Sequence, residues 1–356
     1  MKTLMLSRLL VAAAVVLWSS GNAYAALTPD RGSTPSASSG KANGKELSAS
    51  VTNSLIKVTQ VSGSTGGNSG SLSSTDVNWK PPPCWYEPVY TPEQLKAFSE
   101  TGLALGYVTP HVGWGGQKLW TDHYRDGKDA YNNNGDGSLT PTKGYDNYNI
   151  GKKGYFWRGV APDTEDPASW DCERVMFWQD AGQIPDVPNA PTSKTLAEYA
   201  YDKVKVPDTE IELKPENKAT VNLPTWVWLD KGTFKEVKVR AELPNTGLWA
   251  ETTAKPVALH LDPGTQDAET FPASGDCRIN DDGSIGTPYT KGNDDQAPPC
   301  GIRYLHATSG TPYRLSASVT WQITWQGSDG TGGALPNGTL QTTQDMSVQE
   351  IQAVNR

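Results

Sequence analysis

From Tyr313 to Trp325 every second residue is apolar: Tyr313, Leu315, Ala317, Val319, Trp321, Ile323 and Trp325, with Arg, Ser, Thr or Gln at each position between. Side chains on a strand point alternately to opposite faces, so this pattern predicts a long strand buried on one face only. Val237, Val239, Ala241 and Leu243 alternate with Lys238, Arg240 and Glu242 in the same way. Val221–Leu229, Val257–Leu261, Ile302–Leu305 and Met346–Val354 are further strand candidates, separated by turns rich in Gly, Pro and Asp. Several short strands with such punctuation predict a β-sandwich over residues 208–356.

Two segments carry helical signals instead. Thr91-Pro92-Glu93-Gln94 offers a Thr N-cap, Pro at the first helical position and Gln at the third, followed by Leu95, Phe98 and Leu103 on one side, with Gly102 near the end. Thr195-Leu196-Ala197-Glu198 reads as a capping box, and Leu196, Ala200 and Val204 share a face before Pro207. That helix, within 193–207, is expected to link two halves. Between the helices the chain is rich in Gly, Tyr, Trp and Asn without a sustained period, so residues 76–192 read as an irregular α+β, aromatic-rich region. Residues 26–75 are mostly Ser, Gly, Thr, Ala and Asn. They hold too little apolar surface to offset the entropy of ordering and are expected to form a disordered, flexible tether. Within them Leu55-Ile56-Lys57-Val58 is a short apolar patch able to pair as a strand.

The first 25 residues change the picture. Lys2 and Arg8 precede an apolar run from Leu9 to Trp18, and Ala23-Tyr24-Ala25 supplies a small-x-small cleavage site before Ala26. This is the order of a secretory signal. Its ten apolar residues span about half of the ~20 that a membrane helix needs. Cleavage would remove two basic residues and no acidic ones, leaving 29 basic against 39 acidic and a net charge of −10 in place of −8. An acidic chain without a basic block repels phosphate backbones, which argues against nucleic acid as a partner. Export also interprets the four cysteines, Cys84, Cys172, Cys277 and Cys300, as two disulfides. Three connectivities exist; chain order and a domain border between Cys172 and Cys277 favour Cys84–Cys172 with Cys277–Cys300. No close Cys/His pair offers a zinc site.

Several motifs follow one another in a recognisable order. They are Val221-Asn222-Leu223-Pro224-Thr225-Trp226-Val227-Trp228-Leu229, Gly286-Thr287-Pro288-Tyr289 and Cys300-Gly301-Ile302-Arg303-Tyr304, then Thr320-Trp321-Gln322-Ile323-Thr324-Trp325 and Val348-Gln349-Glu350-Ile351-Gln352. Over about residues 196–356 the chain resembles an uncharacterised family of secreted actinobacterial proteins. Cys84-Trp85-Tyr86-Glu87-Pro88 resembles one N-terminal variant of it. The resemblance implies a mainly β fold whose C-terminal part is an immunoglobulin/PKD-like β-sandwich. Leu259-His260-Leu261-Asp262-Pro263-Gly264 stands where a PKD strand carries Trp-x-Phe-Gly-Asp-Gly, so that label fits loosely. Some relatives carry a nucleotide-binding label, but the chain has no G-x-x-x-x-G-K-[ST] phosphate cradle, and nucleotide is not expected as a ligand.

Candidate chemistry is sparse. The histidines are His111, His123, His260 and His306, with no H-E-x-x-H helix. Gly67-Asn68-Ser69-Gly70 is similar to a protease nucleophile loop but lies in the tether without triad context. Asn132, Asn134 and Asp136, with Gly137 after them, resemble the first half of a calcium loop. The twelfth position is Lys143 where a bidentate Glu should stand, so an Asn/Gly turn is the competing reading. Thirteen Trp and fourteen Tyr outnumber five Phe, a bias toward aromatic rings with a polar handle. Trp114, Trp120, Tyr155 and Trp157 are candidates for stacking on a ligand, with core packing as the alternative. No cofactor or catalytic set is indicated. The expectation is a released or loosely envelope-associated, non-enzymatic adhesion or interaction protein, its partner a cell-envelope glycan or another surface protein. A carbohydrate-binding module or cell-wall-directed hydrolase using residues 84–185 is the alternative.

Overall fold

The computed structural model describes residues 54–63, 69–100, 120–133, 138–229 and 234–351. The fold is mainly β, in several sheets. The largest has eight strands. From edge to edge its path is Lys57–Ser62, Val237–Glu242, Trp249–Asp262, Tyr313–Gly327, Gly332–Gln349 and Lys218–Thr220. Asp276–Arg278 also pairs with Trp249–Asp262, and Ser73–Ser74 with Gly332–Gln349. The alternation of the sequence is realised directly: Leu315, Ala317, Val319, Trp321 and Ile323 are all buried on one face, with Val237, Val239 and Ala241 beside them. A second, five-stranded sheet comprises Glu212–Lys214, Pro224–Leu229, Gly301–Tyr304, Ala268–Phe271 and Ile285–Gly286. Its Leu213, Val227, Leu229, Ile302 and Tyr304 join the same buried cluster.

The structure joins Cys277 to Cys300 and Cys84 to Cys172. The first bridge ties Asp276–Arg278, in the larger sheet, to the residue that precedes Gly301–Tyr304 in the smaller one. It therefore staples the two sheets together across the core.

Two α-helices are formed among the described residues, beside three short 3-10 or π turns. Helix α1, Pro92–Glu100, starts as the sequence predicts: the Gln94 backbone N–H donates to Thr91 Oγ1 (3.2 Å) and Thr91 N–H to Gln94 Oε1 (2.8 Å). Helix α2, Ser193–Asp202, begins three residues earlier than the capping box read from the sequence. Thr192 is the cap and Thr195 the reciprocating residue, because a Thr hydroxyl at the third position returns the hydrogen bond as a Glu would (Thr192 N to Thr195 Oγ1, 3.3 Å; Thr195 N to Thr192 Oγ1, 3.1 Å). Glu198, freed from that role, is buried and lies 3.4 Å from Lys194.

Helix α2 packs on the larger sheet. It lies on the inner face of the larger sheet, where small residues leave room: Ala241, Ala250, Thr252 and Ala254 on the sheet, Ala197 and Ala200 on the helix, all buried. Thr252 Oγ1 donates to the Ala197 carbonyl at 2.7 Å, fixing the helix to the sheet. Gly327 completes the fit, since a Cβ there would stand 2.4 Å from Ser193 Cβ. One continuous apolar cluster thus runs from Ile56 and Trp85 through α2 to Met346.

Two further differences from the sequence reading have the same cause, backbone pairing that apolar content does not announce. Residues 26–75, read as tether, contain three paired segments. Lys57–Ser62 pairs with Val237–Glu242, Ser69–Ser71 with Lys205–Pro207 and Ser73–Ser74 with Gly332–Gln349. Gly332–Gln349, of which only Met346–Gln349 falls in a strand candidate of the sequence, is the long antiparallel partner of Tyr313–Gly327. The export signal and residues 26–53 of the tether lie outside the described residues.

The region before α2 centres on a three-stranded antiparallel sheet, Trp85–Tyr90, Gly154–Val160 and Phe177–Asp180. Trp85, Tyr86, Trp157 and Val160 belong to the main cluster. Val89, Tyr90 and Phe156 belong to a second core with Leu95, Trp120, Tyr124, Tyr148, Val175 and Met176.

Candidate ligand-binding face

The aromatic candidates of residues 84–185 resolve into structure first. Trp120 and Trp157 are buried side chains and present no ring to a ligand. Around Trp120 the rings pack closely: Phe98 edge to face at 5.3 Å, Tyr124 tilted at 5.4 Å, then Tyr145 parallel to Tyr124 at 5.7 Å. Their hydroxyls are used internally. Tyr124 Oη donates to the Met176 carbonyl (3.0 Å), Tyr145 Oη accepts from Trp178 N (3.0 Å), and Ser99 Oγ meets Tyr148 Oη (2.9 Å). These bonds account for tyrosine rather than phenylalanine at those three positions, since each hydroxyl meets a polar group inside the core. Tyr155 is half-buried and accepts from Asn245 Nδ2 at 2.7 Å. Trp114 and His111 lie outside the described residues.

Of the calcium candidate, only Asn132 falls among the described residues. Ala130–Asn133 and Leu139–Thr142 form a hairpin, and Asn132 Oδ1 accepts from the Val175 backbone N–H at 2.8 Å, so this oxygen holds the hairpin to the body. Asn134 and Asp136 lie outside the described residues. Among the described residues no three His, Cys, Asp or Glu side chains gather as a metal would require. His123 is buried, with Nδ1 2.9 Å from the Lys128 carbonyl, and burial lowers its pKa below the ordinary 6.5. His260 Nδ1 lies 2.8 Å from Asp276 Oδ1, and His306 Nε2 lies 3.8 Å from Asp267.

The outer face of the five-stranded sheet is different. Register brings three rows of side chains into line. Glu212, Trp228 and Gly286 form the first; Lys214, Trp226, Gly301 and Phe271 the second; Pro224, Arg303 and Glu269 the third. Alternation sends Val227 and Leu229 inward and Trp226 and Trp228 outward. Trp228 is only half-buried, and its indole N–H donates to Glu212 Oε2 at 2.6 Å, which fixes the ring's orientation. The ring borders a cleft of about 540 Å³, lined also by Asn280, Asp282, Ser284, Thr287 and Pro288.

The far wall of that cleft is a rigid turn. Asn280 Nδ2 donates to Ser284 Oγ (2.8 Å) and to the Gly286 carbonyl (3.0 Å), while Asp282 Oδ1 accepts from Ser284 N (2.9 Å) and Oγ (2.6 Å). Gly286 is required there: its φ is +67°, and a Cβ would fall 2.3 Å from the Val227 carbonyl. The arrangement is an aromatic ring held by Glu212 beside hydroxyl, amide and carboxylate groups. It can stack on an apolar ring face and exchange hydrogen bonds with hydroxyls at the ring's edge. Two carboxylates at the rim disfavour anionic ligands.

Sequence reasoning missed this face. Trp228 was indistinguishable from Trp226 and from the core tryptophans of the 313–325 strand. The available signal was parity: within Pro224–Leu229 the aromatic and aliphatic residues alternate, so one set had to face outward. No family model, curated protein or solved structure matches the chain. No helix among the described residues is long and apolar enough to cross a membrane.

Proposed function

We propose that this is an exported, non-enzymatic adhesion or interaction protein of the cell envelope, whose ligand is a glycan held against Trp228. In this reading the two stapled sheets belong to an immunoglobulin/PKD-like sandwich, and the resemblance to secreted actinobacterial proteins extends over it. The single observation that carries the proposal is the half-buried Trp228 ring, oriented by Glu212 within a polar cleft. A saccharide has an apolar ring face and a hydroxyl edge, which matches that pairing of groups.

Binding is favoured over hydrolysis by how the cleft's carboxylates are used. Glu212 accepts the indole N–H, and Asp282 is engaged by Ser284 within its own turn. Both serve to position groups, whereas hydrolysis needs an acid and a base free to exchange protons across the scissile bond.

A second reading, contact with another surface protein, is favoured by the Ala130–Thr142 hairpin. There Tyr131 and Leu139 are 50% and 57% exposed. The test of the main proposal is retention of the mature chain on insoluble peptidoglycan, chitin and cellulose, compared with Trp228→Ala. Retention on at least one glycan that Trp228→Ala abolishes supports it; equal behaviour of the two proteins on all three overturns it.

A further inference from the structure

The same outer face carries a second opening. At the other end of the Pro224–Leu229 strand, Lys214, Pro215, Leu223, Pro224, Tyr289 and Asp294 enclose a cleft of about 160 Å³. Between the two clefts stands Trp226, covered by Tyr289, whose ring centroid is 6.0 Å away at 80° to the indole plane. Trp226 is 5% exposed, and its indole N–H finds no hydrogen-bond partner among the described residues. A buried donor left unpaired carries its desolvation cost uncompensated, so the covered arrangement holds an unmet demand for an acceptor at this point.

The cover itself is lightly held. Tyr289 Oη donates to Asp294 Oδ1 at 2.7 Å, a bond within its own loop. Thr287, Pro288, Thr290, Lys291 and Gly292 around it are exposed. Ile285, paired to Leu229, and Cys300, in the disulfide, anchor the two ends. Beneath the loop, Gly301 is the register partner of Trp226; a Cβ there would come 2.4 Å from both Pro298 Cγ and the Thr225 carbonyl.

We infer that the loop bearing Tyr289 is a strap over a central subsite, and that the face beneath it is a groove for an extended neutral glycan. Trp228, Trp226 and the Lys214–Pro224 cleft would be its successive contact points. The inference rests on the reading of Trp228 as a glycan-facing side chain. Three features carry it beyond that reading. Trp228, Trp226 and Pro224 are alternate residues of one strand, about 6.6 Å apart each and about 13 Å in all. That is a length for consecutive sugar rings, not for one. Each contact point offers a different hydrogen-bonding group: Glu212 accepts, the Trp226 indole donates once uncovered, and Lys214 donates. Neutrality follows from Glu212, Asp282 and Asp294 around the groove, which repel an acidic polymer.

The experiment is calorimetric titration of the full mature chain with β-1,4-linked N-acetylglucosamine oligomers of one to six units. Wild type is compared with Lys214→Ala, Tyr289→Ala and Trp228→Ala, with a thermal melt of each to confirm folding. The expected result is a tetramer bound at least tenfold tighter than the monomer. Lys214→Ala should lower tetramer affinity at least fivefold without changing that of the monomer. Tyr289→Ala should raise tetramer affinity about threefold, because the strap no longer has to be displaced. Equal affinity for all lengths with an inert Lys214→Ala overturns the groove and leaves the Trp228 reading standing. Unchanged or weaker tetramer binding by Tyr289→Ala overturns the strap. Absence of binding by any oligomer to wild type overturns both readings for this glycan class.

Discussion

Replacing Trp321 and Trp228 by alanine, one at a time, separates the two roles that tryptophan plays in this chain. Trp321 is fully buried at the middle of the larger sheet, between strands on both sides, with the Phe234 ring 6.3 Å away. An indole buried this way removes ~200 Å² from water, or about 5 kcal/mol at ~25 cal/mol per Å². Core truncations of this kind cost about 3–5 kcal/mol, because the surroundings collapse only in part. At roughly 2–3 °C per kcal/mol, Trp321→Ala should lower Tm by about 10 °C. Trp321→Phe should cost only about 1–2 kcal/mol. It keeps most of the ring, and the indole N–H it deletes has no hydrogen-bond partner among the described residues. Trp228→Ala loses one hydrogen bond, to an exposed Glu212, and part of an outward ring, about 1 kcal/mol in all. Circular dichroism melts of the four proteins read these differences directly. Equal losses of Tm for Trp321→Ala and Trp228→Ala would refute the inward and outward assignment on which the site depends.

The two disulfides should stabilise unequally. Their residues are separated by 88 positions for Cys84–Cys172 and 23 for Cys277–Cys300. Loop-closure entropy then gives about 4.5 and about 3.4 kcal/mol, so in guanidinium unfolding the Cys84→Ala/Cys172→Ala protein should be the weaker of the two double mutants; the reverse order would show that stapling the sheets matters more than chain entropy. Acidification should loosen the second core through His123. Burial disfavours its charged form, so the unfolded chain binds the proton more readily, and stability falls as pH drops through 6.5 toward the lower folded-state pKa and levels off below it. Urea midpoints between pH 8 and pH 5 should decline in wild type and flatten in His123→Gln; an identical decline in both excludes His123 as the source.

Where strands carry their own burial pattern, as in Tyr313–Gly327 and Val237–Glu242, alternation in the sequence determines both the element and its inward face. The Thr91 cap is equally legible, since its chemistry is local. Pairing partners are not. Ser69–Ser71 and most of Gly332–Gln349 are strands because an adjacent strand offers its backbone, and Ser, Gly, Thr and Gln give no advance sign of that; only Lys57-Val58 and Met346–Gln349 fall within segments whose apolar content marks them as strand candidates. Nor does amphipathicity alone reveal that α2 seats on the larger sheet; the small residues that admit it, from Ala241 to Ala254, are dispersed along two strands. The site was hidden for a related reason. Trp226 and Trp228 share one parity, yet one is covered and the other open, and the difference comes from Tyr289, some sixty residues away in the chain.

The central claim is that the ring of Trp228 contacts a glycan. Its most direct test is the retention of wild type and Trp228→Ala on insoluble glycans, in proteins shown by their melts to be equally folded. Wild type should be held by at least one of peptidoglycan, chitin and cellulose, and Trp228→Ala should pass through. A folded wild type that no glycan retains, or a Trp228→Ala protein retained as well as wild type, would contradict the account.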